Sequence, residues 1–344
     1  MSGAVRVLVV DDSATMRVMV SRMLSVDPDI KVVGTAPEPS VARQMIKDLE
    51  PDVLTLDVEM PGMDGLSFLE RIMRLRPMPV VMLSSLTQRG ADTTIEALRL
   101  GAVDCLAKPI GSASFMEAEA QRLRDTVKTA ARSVVRPQST SRPPLSFGGG
   151  AWRDVMIALG ASTGGVEALF SLLSALPADC PPILIVQHMP AAFTGRLAAR
   201  LNDNCAIRVV EAQHGEPVVP GTAYLAPGTD KHMEYMPGPP PRIRLVTGDL
   251  VTSHRPSVDV LFRSLVTRGI GAVGAIMTGM GCDGAAGLKA MRDAGARTFG
   301  QNENSCVVYG MPRAAQELGA VEREVGLSFM PEAILAACRQ SAGA

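Results

Sequence analysis

The stretch ALGASTGGVEALFSLLSAL, residues 158–176, joins an apolar run to a segment of helical period through a turn of small residues. The run that enters it, DVMIALG, has no polar alternation and reads as a strand buried on both faces. In VEALFSLLSAL the apolar residues recur at spacings of three and four, which is the period of a helix. Strand, tight turn and helix form one β-α unit of a parallel sheet. Ser162 sits in the turn, and Gly160, Ser162 and Gly164 satisfy G-x-S-x-G, the spacing of a nucleophile elbow. Three roles remain open for this serine: a nucleophile, one wall of a phosphate cradle, or a small turn residue. A phosphate loop needs a lysine and a hydroxyl after the last glycine, but Gly165 is followed by Val166 and Glu167. A dinucleotide loop needs G-x-G-x-x-G, and the spacing here is G-x-S-x-G-G.

The same alternation fills the rest of the chain. VRVLVV, IKVVGTA, DVLTLD, PVVMLSS and VDCLAK read as buried strands with helical segments between them. After about residue 132 the composition shifts to SVVRPQSTSRPPLSFGGG, a linker rich in Ser, Pro, Arg and Gly. The alternation resumes with DVMIALG, PILIVQH, CAIRVVEA, GTAYLAP, RIRLVTG, GAVGAIMTG and RTFGQN, with a hairpin expected across the Pro/Gly-rich turn before RIRLVTG. The expected architecture is α/β, with two doubly wound parallel-sheet domains joined by a linker. The expected boundaries are 4–122 for the first domain, 123–150 for a helix end and linker, and 151–342 for the second.

Composition narrows the function classes. Of the 344 residues 47% are hydrophobic and only 3% aromatic, so the cores are built from aliphatic side chains and Met. A net charge of −1, with no basic recognition helix, speaks against nucleic acid as a partner. No apolar run reaches the ~18 residues that a bilayer requires. The six cysteines show no CxxC spacing, which leaves neither a zinc site nor a disulfide framework as an expectation. The N-terminus lacks the pattern of a signal peptide. The chain is therefore expected to be cytoplasmic; a monomer is a separate expectation that no sequence feature carries.

Ligands of open parallel sheets bind at the carboxyl ends of the strands. In the first domain those ends carry Asp11 and Asp12, then Asp57, Ser84 and Lys108. Three carboxylates on one rim repel one another. A hard cation such as Mg²⁺ offsets them, and Lys108 adds a second positive charge. Fixed positive groups around a carboxylate suit phosphoryl transfer, with Asp57 as the acceptor. VLVVDDS, LDVEMPGMDG, VVMLSS and LAKP together resemble a response-regulator receiver domain. The resemblance implies a flavodoxin-like fold and a sensor histidine kinase as phosphodonor to Asp57. It implies Mg²⁺ bound by Asp12 and Asp57, with Asp11 assisting and the Glu59 backbone carbonyl as a third protein ligand. Ser84 would follow the phosphoryl group and Lys108 would pair with it.

In the second domain a serine nucleophile needs a base and an orienting carboxylate. His188 follows PILIVQ at a strand end, and His214 follows IRVVEAQ as its rival; spacing alone does not separate them. His232 lies in a polar segment, and His254 in the loop TSHRPSVD. Asp283 follows an apolar strand inside a glycine-rich loop ahead of a helix, a context that repeats that of Ser162, with Asp230 and Asp259 as alternatives. ALGASTGGVEAL, VQHMP, YLAPG, HRPSVDVLF, MTGMGCDGAAGL and QNENSCVVYGMPRAA resemble the CheB family of chemotaxis receptor methylesterases. That resemblance implies a Rossmann-like domain with Ser162 as nucleophile, His188 as base and then acid, and Asp283 as its partner. It also implies glutamyl methyl esters of chemoreceptors as substrate, hydrolysis without a cofactor, and deamidation of glutamine by the same acyl chemistry. Thr163 and Met280 are expected as site neighbours, and backbone N–H groups of the two glycine-rich loops as oxyanion donors. The linker would hold the receiver near the catalytic rim, where the unphosphorylated form blocks Ser162. The competing expectations are a phosphorylation-controlled binding module that keeps only the scaffold, and a transcriptional regulator.

Overall fold

Aliphatic runs without polar alternation become the central strands, because parallel strands covered by helices on both faces expose neither side to water. The computed structural model describes residues 3–60, 65–84, 88–108, 113–135, 155–266 and 271–340. Most of the expected linker, residues 136–150, lies outside the described residues. The chain divides into two units, Met1–Ser139 and Thr140–Ala344.

The first unit holds five strands: β1 (Val5–Val10), β2 (Ile30–Ala36), β3 (Val53–Asp57), β4 (Val80–Ser84) and β5 (Asp104–Ala107). They form one parallel sheet in the order β2-β1-β3-β4-β5. Every residue of β3 and β4 is buried. Helices alternate with the strands, and the first, Ala14–Ser25, starts at Ser13, whose hydroxyl accepts from Met16 N–H. The strand order reverses between β1 and β3. The loops after these two strands therefore part to opposite faces and leave a crevice between them.

The second unit holds β6 (Val155–Ala161), β7 (Ile183–Gln187), β8 (Arg208–Glu211), β9 (Thr222–Leu225), β10 (Lys231–Met236), β11 (Arg242–Thr247), β12 (Gly271–Ile276), β13 (Arg297–Gln301) and β14 (Arg323–Val325). Seven of them form a parallel sheet in the order β14-β13-β12-β6-β7-β9-β8. β10 and β11 form a separate antiparallel ribbon, the hairpin expected from the Pro/Gly-rich turn. Met233, Tyr235 and Ile243 of the ribbon pack into one cluster with Val258, Leu261 and Phe262 of the helix Val258–Ser264. The first strand of the unit, β6, lies between β12 and β7, so the reversal again falls at its carboxyl end.

Val258 seats that helix against the sheet because two glycines leave room for it. A Cβ on Gly160 would lie 2.3 Å from Val258 Cγ1, and one on Gly284 would lie 2.6 Å from the same atom. Gly160 has no positive φ, so its requirement is steric alone. Gly160→Ala is expected to lower stability by about 1–3 kcal/mol in chemical denaturation, the usual cost of overpacking. Val258→Ala in the same chain should recover part of that loss, a favourable coupling in a double-mutant cycle.

Candidate functional site

The turn after β6 is fixed from three sides. Ser162 N–H donates to Thr278 O at 3.0 Å, Gly165 N–H donates to Ser162 O at 2.7 Å, and the Gln187 amide donates to Ser162 O at 2.9 Å. Gly164 takes φ 76 at the entry to the helix Gly165–Leu173, a conformation that glycine adopts without steric cost. Gly279 allows close approach from the other side, since a Cβ there would lie 2.7 Å from Ser162 Cβ. Ser162 is part-exposed at the rim.

Ala161 pairs with Gln187 across β6 and β7, and His188 N–H extends the ladder by donating to Ala161 O at 3.1 Å. The register therefore puts His188 beside Ser162. His188 Nε2 lies 2.8 Å from Asp283 Oδ2. Its Nδ1 is buried and has no hydrogen-bond partner among the described residues, so no hydrogen bond joins it to Ser162.

Asp283 is fully buried. It does not cap the helix that follows it, whose N-cap is Gly284. Instead it receives the start of the helix Val258–Ser264. Oδ1 accepts from Ser257 Oγ at 2.7 Å and Asp259 N–H at 3.2 Å, and Oδ2 accepts from Val258 N–H at 2.7 Å besides the His188 bond. Burial pushes the carboxyl up, but the bond and charge of His188, the Ser257 hydroxyl and Val258 N–H outweigh it and hold Asp283 well below the usual carboxylate range. His232, also buried, stands behind this arrangement. Its Nδ1 accepts from Ser257 N–H at 3.2 Å, which puts the ring proton on Nε2, 2.8 Å from the Asp249 O that accepts it.

The rival candidates for base and orienting carboxylate take no part in the His188–Asp283 pair. His214 is exposed, with its Nδ1 at the Leu245 backbone of β11. Asp230 is exposed. Asp259 is buried and accepts from Gly287 N–H at 2.6 Å. Burial raises its carboxyl above the ordinary value despite that bond. Thr163 is buried, with its carbonyl accepting from Thr278 Oγ1 at 3.0 Å, while Met280 is exposed. The N–H groups of Ser162 and Gly279 are committed to Thr278 O and Val308 O, so neither is available to an oxyanion. His254 lies in the expected loop, and its ring stacks on that of His188 with centroids 3.8 Å apart, a contact the sequence does not predict. The only signal for it was its place in HRPSVDVLF, between two runs that reach the site.

On the first unit's rim, Lys108 Nζ lies 2.8 Å from Asp57 Oδ2 and 3.3 Å from Asp11 Oδ2. Asp57 Oδ1 accepts from Glu59 N–H at 3.1 Å, and Asp11 Oδ1 accepts from Ser13 N–H at 2.9 Å. Burial raises the Asp57 carboxyl above its ordinary value; Lys108 pulls against this and Asp11 adds to it. Burial opposes the charge on Lys108, but its two carboxylate partners hold its ammonium above the ordinary range. Among the described residues, Asp11 Oδ2 and Asp57 Oδ2, both buried, receive the charge of Lys108 but no directed hydrogen bond. Carboxylate oxygens of Asp11, Asp12 and Asp57 all lie within 4.8 Å of one another. Three hard oxygen donors, two of them incompletely satisfied, fit a small divalent cation such as Mg²⁺. Ser84 is buried and its hydroxyl donates to Gly90 O at 3.3 Å.

Residues 157–334 match the family model described as CheB methylesterase, and residues 7–119 match the response regulator receiver domain. The chain is 55% identical over 338 residues to the protein-glutamate methylesterase/protein-glutamine glutaminase 1 of Caulobacter vibrioides, covering 96% of this chain and 97% of that one. It is 52% identical over 343 residues to the protein-glutamate methylesterase/protein-glutamine glutaminase of Agrobacterium fabrum, covering 97% of each. Among solved structures, the crystal structure of the Thermotoga maritima CheB methylesterase catalytic domain matches with a TM-score of 0.51 and 33% identity, covering 53% of this chain and 97% of that one.

Asp283→Asn tests how the buried carboxylate is held. Its amide presents N–H groups where Asp283 now accepts from four donors, so one donor is left facing another. The variant should lose about 10⁴-fold of any hydrolytic activity that uses His188, and should unfold at lower denaturant than the parent at neutral pH. A carboxyl held low in the folded state stabilises fully above its unfolded value and loses that contribution as pH falls. The stability gap between parent and variant should therefore persist at neutral pH and close only below the ordinary carboxylate value of 3.8.

Proposed function

The chain belongs to the CheB methylesterase family and carries a receiver domain ahead of the catalytic one, and on that premise we propose that it is a phosphorylation-activated protein-glutamate methylesterase and protein-glutamine glutaminase acting in the cytoplasm on methyl-accepting chemoreceptors. The observation that carries the catalytic assignment is the His188–Asp283 pair, set by strand register beside the Ser162 turn.

Ser162 Oγ attacks the carbonyl carbon of a glutamyl γ-methyl ester. Its proton passes to His188 Nδ1, the nitrogen not bound to Asp283, and Asp283 stabilises the imidazolium. The bond to the methoxy oxygen breaks, and that oxygen takes the proton from His188 and leaves as methanol. A water molecule then attacks the acyl-enzyme and gives a proton to His188. His188 returns it to Ser162 Oγ as glutamate is released. With a glutamine side chain the leaving group is ammonia. Backbone N–H groups of the loops after β6 and β12 face the oxyanion, with Thr163 and Met280 as neighbours.

On the receiver rim, the Asp57 carboxylate takes a phosphoryl group from a sensor histidine kinase. Lys108 pairs with the transferred group and Ser84 contacts it. Asp11, Asp12, Asp57 and the Glu59 carbonyl would hold Mg²⁺, which would supply positive charge against the phosphoryl oxygens. Forming the acyl phosphate exchanges the single charge of the carboxylate for about two on the phosphoryl group, a net gain of about one negative charge on a buried rim, and this change is what raises turnover at Ser162.

Methanol release from methylated receptor, with and without a small phosphodonor and Mg²⁺, tests both halves. Ser162→Ala should lower turnover by at least about 10³-fold, and undiminished release would sink the triad. Asp57→Asn should keep basal turnover and lose the response to the phosphodonor; a normal response would remove Asp57 as acceptor.

A further inference from the structure

His254 has no part in the proton path above, yet its ring lies flat on that of His188, with centroids 3.8 Å apart and planes 8° from parallel. The loop that delivers it is conformationally costly. Val251 and His254 pair across a two-residue turn, with Val251 N–H donating to His254 O at 3.1 Å and His254 N–H donating to Val251 O at 2.9 Å. The two central residues, Thr252 and Ser253, have φ of 49 and 66. Turns with two left-handed central residues select Asn-Gly or Asp-Gly, and a β-branched residue there is strained. Such strain persists only where its surroundings over-determine it, and it gathers at functional sites.

The surroundings do over-determine this loop. The Thr252 hydroxyl donates to Val251 O at 2.7 Å, the Arg255 guanidinium donates to Gly248 O at 2.6 Å, and Ser257 binds Asp283. His254 Nδ1 lies 2.7 Å from Thr252 O, an acceptor only, so that nitrogen carries a proton and fixes how the ring is turned. The product of this arrangement is a flat aromatic wall against the His188 ring.

A metal reading of the same groups fails on geometry. Ligand atoms of His188, His254 and Asp283 lie within 4.8 Å of one another. Stacked rings, however, keep their lone pairs in parallel planes rather than aiming them at one point, and His188 Nε2 is already engaged by Asp283.

We propose that His254 is a positioning residue for the proposed base: its stacked ring holds the plane of His188, so that Nε2 stays on Asp283 and Nδ1 stays turned to the nucleophile. The inference rests on the reading of Ser162, His188 and Asp283 as the triad. Among the described residues no hydrogen bond to Nδ1 steadies that edge of the ring, which leaves Asp283 at one corner and the stack across its face. Misplacement of a reacting group by about 1 Å is enough to cost ~100-fold in rate.

The test is methanol release from methylated receptor by the full, phosphorylated chain, for the parent, Ser162→Ala, and His254→Ala, Leu and Phe. His254→Ala and His254→Leu should lower kcat by about 10- to 100-fold with KM within about 2-fold, because a loose base slows chemistry without weakening binding. His254→Phe keeps a flat ring and should return kcat to within about 3-fold of the parent. Leucine fills volume without a planar face, so the Leu and Phe pair decides the matter even if the alanine variant does not fold. The proposal is overturned if the Leu variant stays within 3-fold of the parent, if Phe is as slow as Leu, or if KM rises while kcat holds. An inactive Ser162→Ala beside normal His254 variants removes only this inference, whereas an active Ser162→Ala removes the triad itself.

Discussion

A buried carboxylate that accepts four hydrogen bonds organises the catalytic unit. Asp283 takes one from Ser257 Oγ, one each from Val258 and Asp259 N–H, and one from His188 Nε2. An isolated charge in such a place would be prohibitive. Here the donors keep it ionised, and each donor is itself immobilised. Three of them start the helix Val258–Ser264, whose N-terminal dipole favours negative charge. That helix can come so near the sheet only because Gly160 and Gly284 leave space for Val258. Core packing, helix start and imidazole orientation are thus one constraint met at one atom group, with His232 behind it through Ser257.

The two rims solve the same electrostatic problem differently. Both lie at the carboxyl end of a parallel sheet, where the strand order reverses. In the catalytic unit, rigid backbone and hydroxyl donors satisfy the acid, and its carboxyl is held low. In the receiver, Asp57 faces Asp11 with one shared lysine, and burial leaves its carboxyl raised. The first arrangement suits a group that must stay fixed while charge appears on its neighbour. The second suits a group whose charge is meant to change, because incomplete satisfaction leaves room for a cation and a phosphoryl group.

Much of this was legible because strand ends are marked by abrupt changes of residue type. DVLTLD passes from aliphatic residues to an acid, and GASTGG breaks a buried run with small residues, so the rim carboxylates, Lys108 and the serine turn stand out. The short strand β14 did not, since two of its three residues are exposed and it carries no hydrophobic run. The three partners of Asp283 other than His188 were hidden for another reason. They come from residues 24 to 26 positions upstream, two of them through backbone N–H groups that every sequence possesses and one through the Ser257 hydroxyl. His254 does lie in a loop; its contact with His188 was hidden because nothing local marks Thr252 and Ser253 as left-handed.

The two proposed reactions ask different things of this architecture. Methoxide is a tolerable leaving group, whereas an amide nitrogen leaves only once it is protonated. Nucleophilic attack needs the base in place at the start of the reaction; departure of ammonia needs the same ring, now an acid, still in place after the bonds have moved. An imidazole tied at one corner to a fixed carboxylate keeps its orientation through both stages. The carboxylate can stay fixed because its other three hydrogen bonds lie outside the reaction path. On the proposed assignment, a site that accepts ester and amide alike therefore depends less on the reactivity of Ser162 than on how little His188 is free to turn.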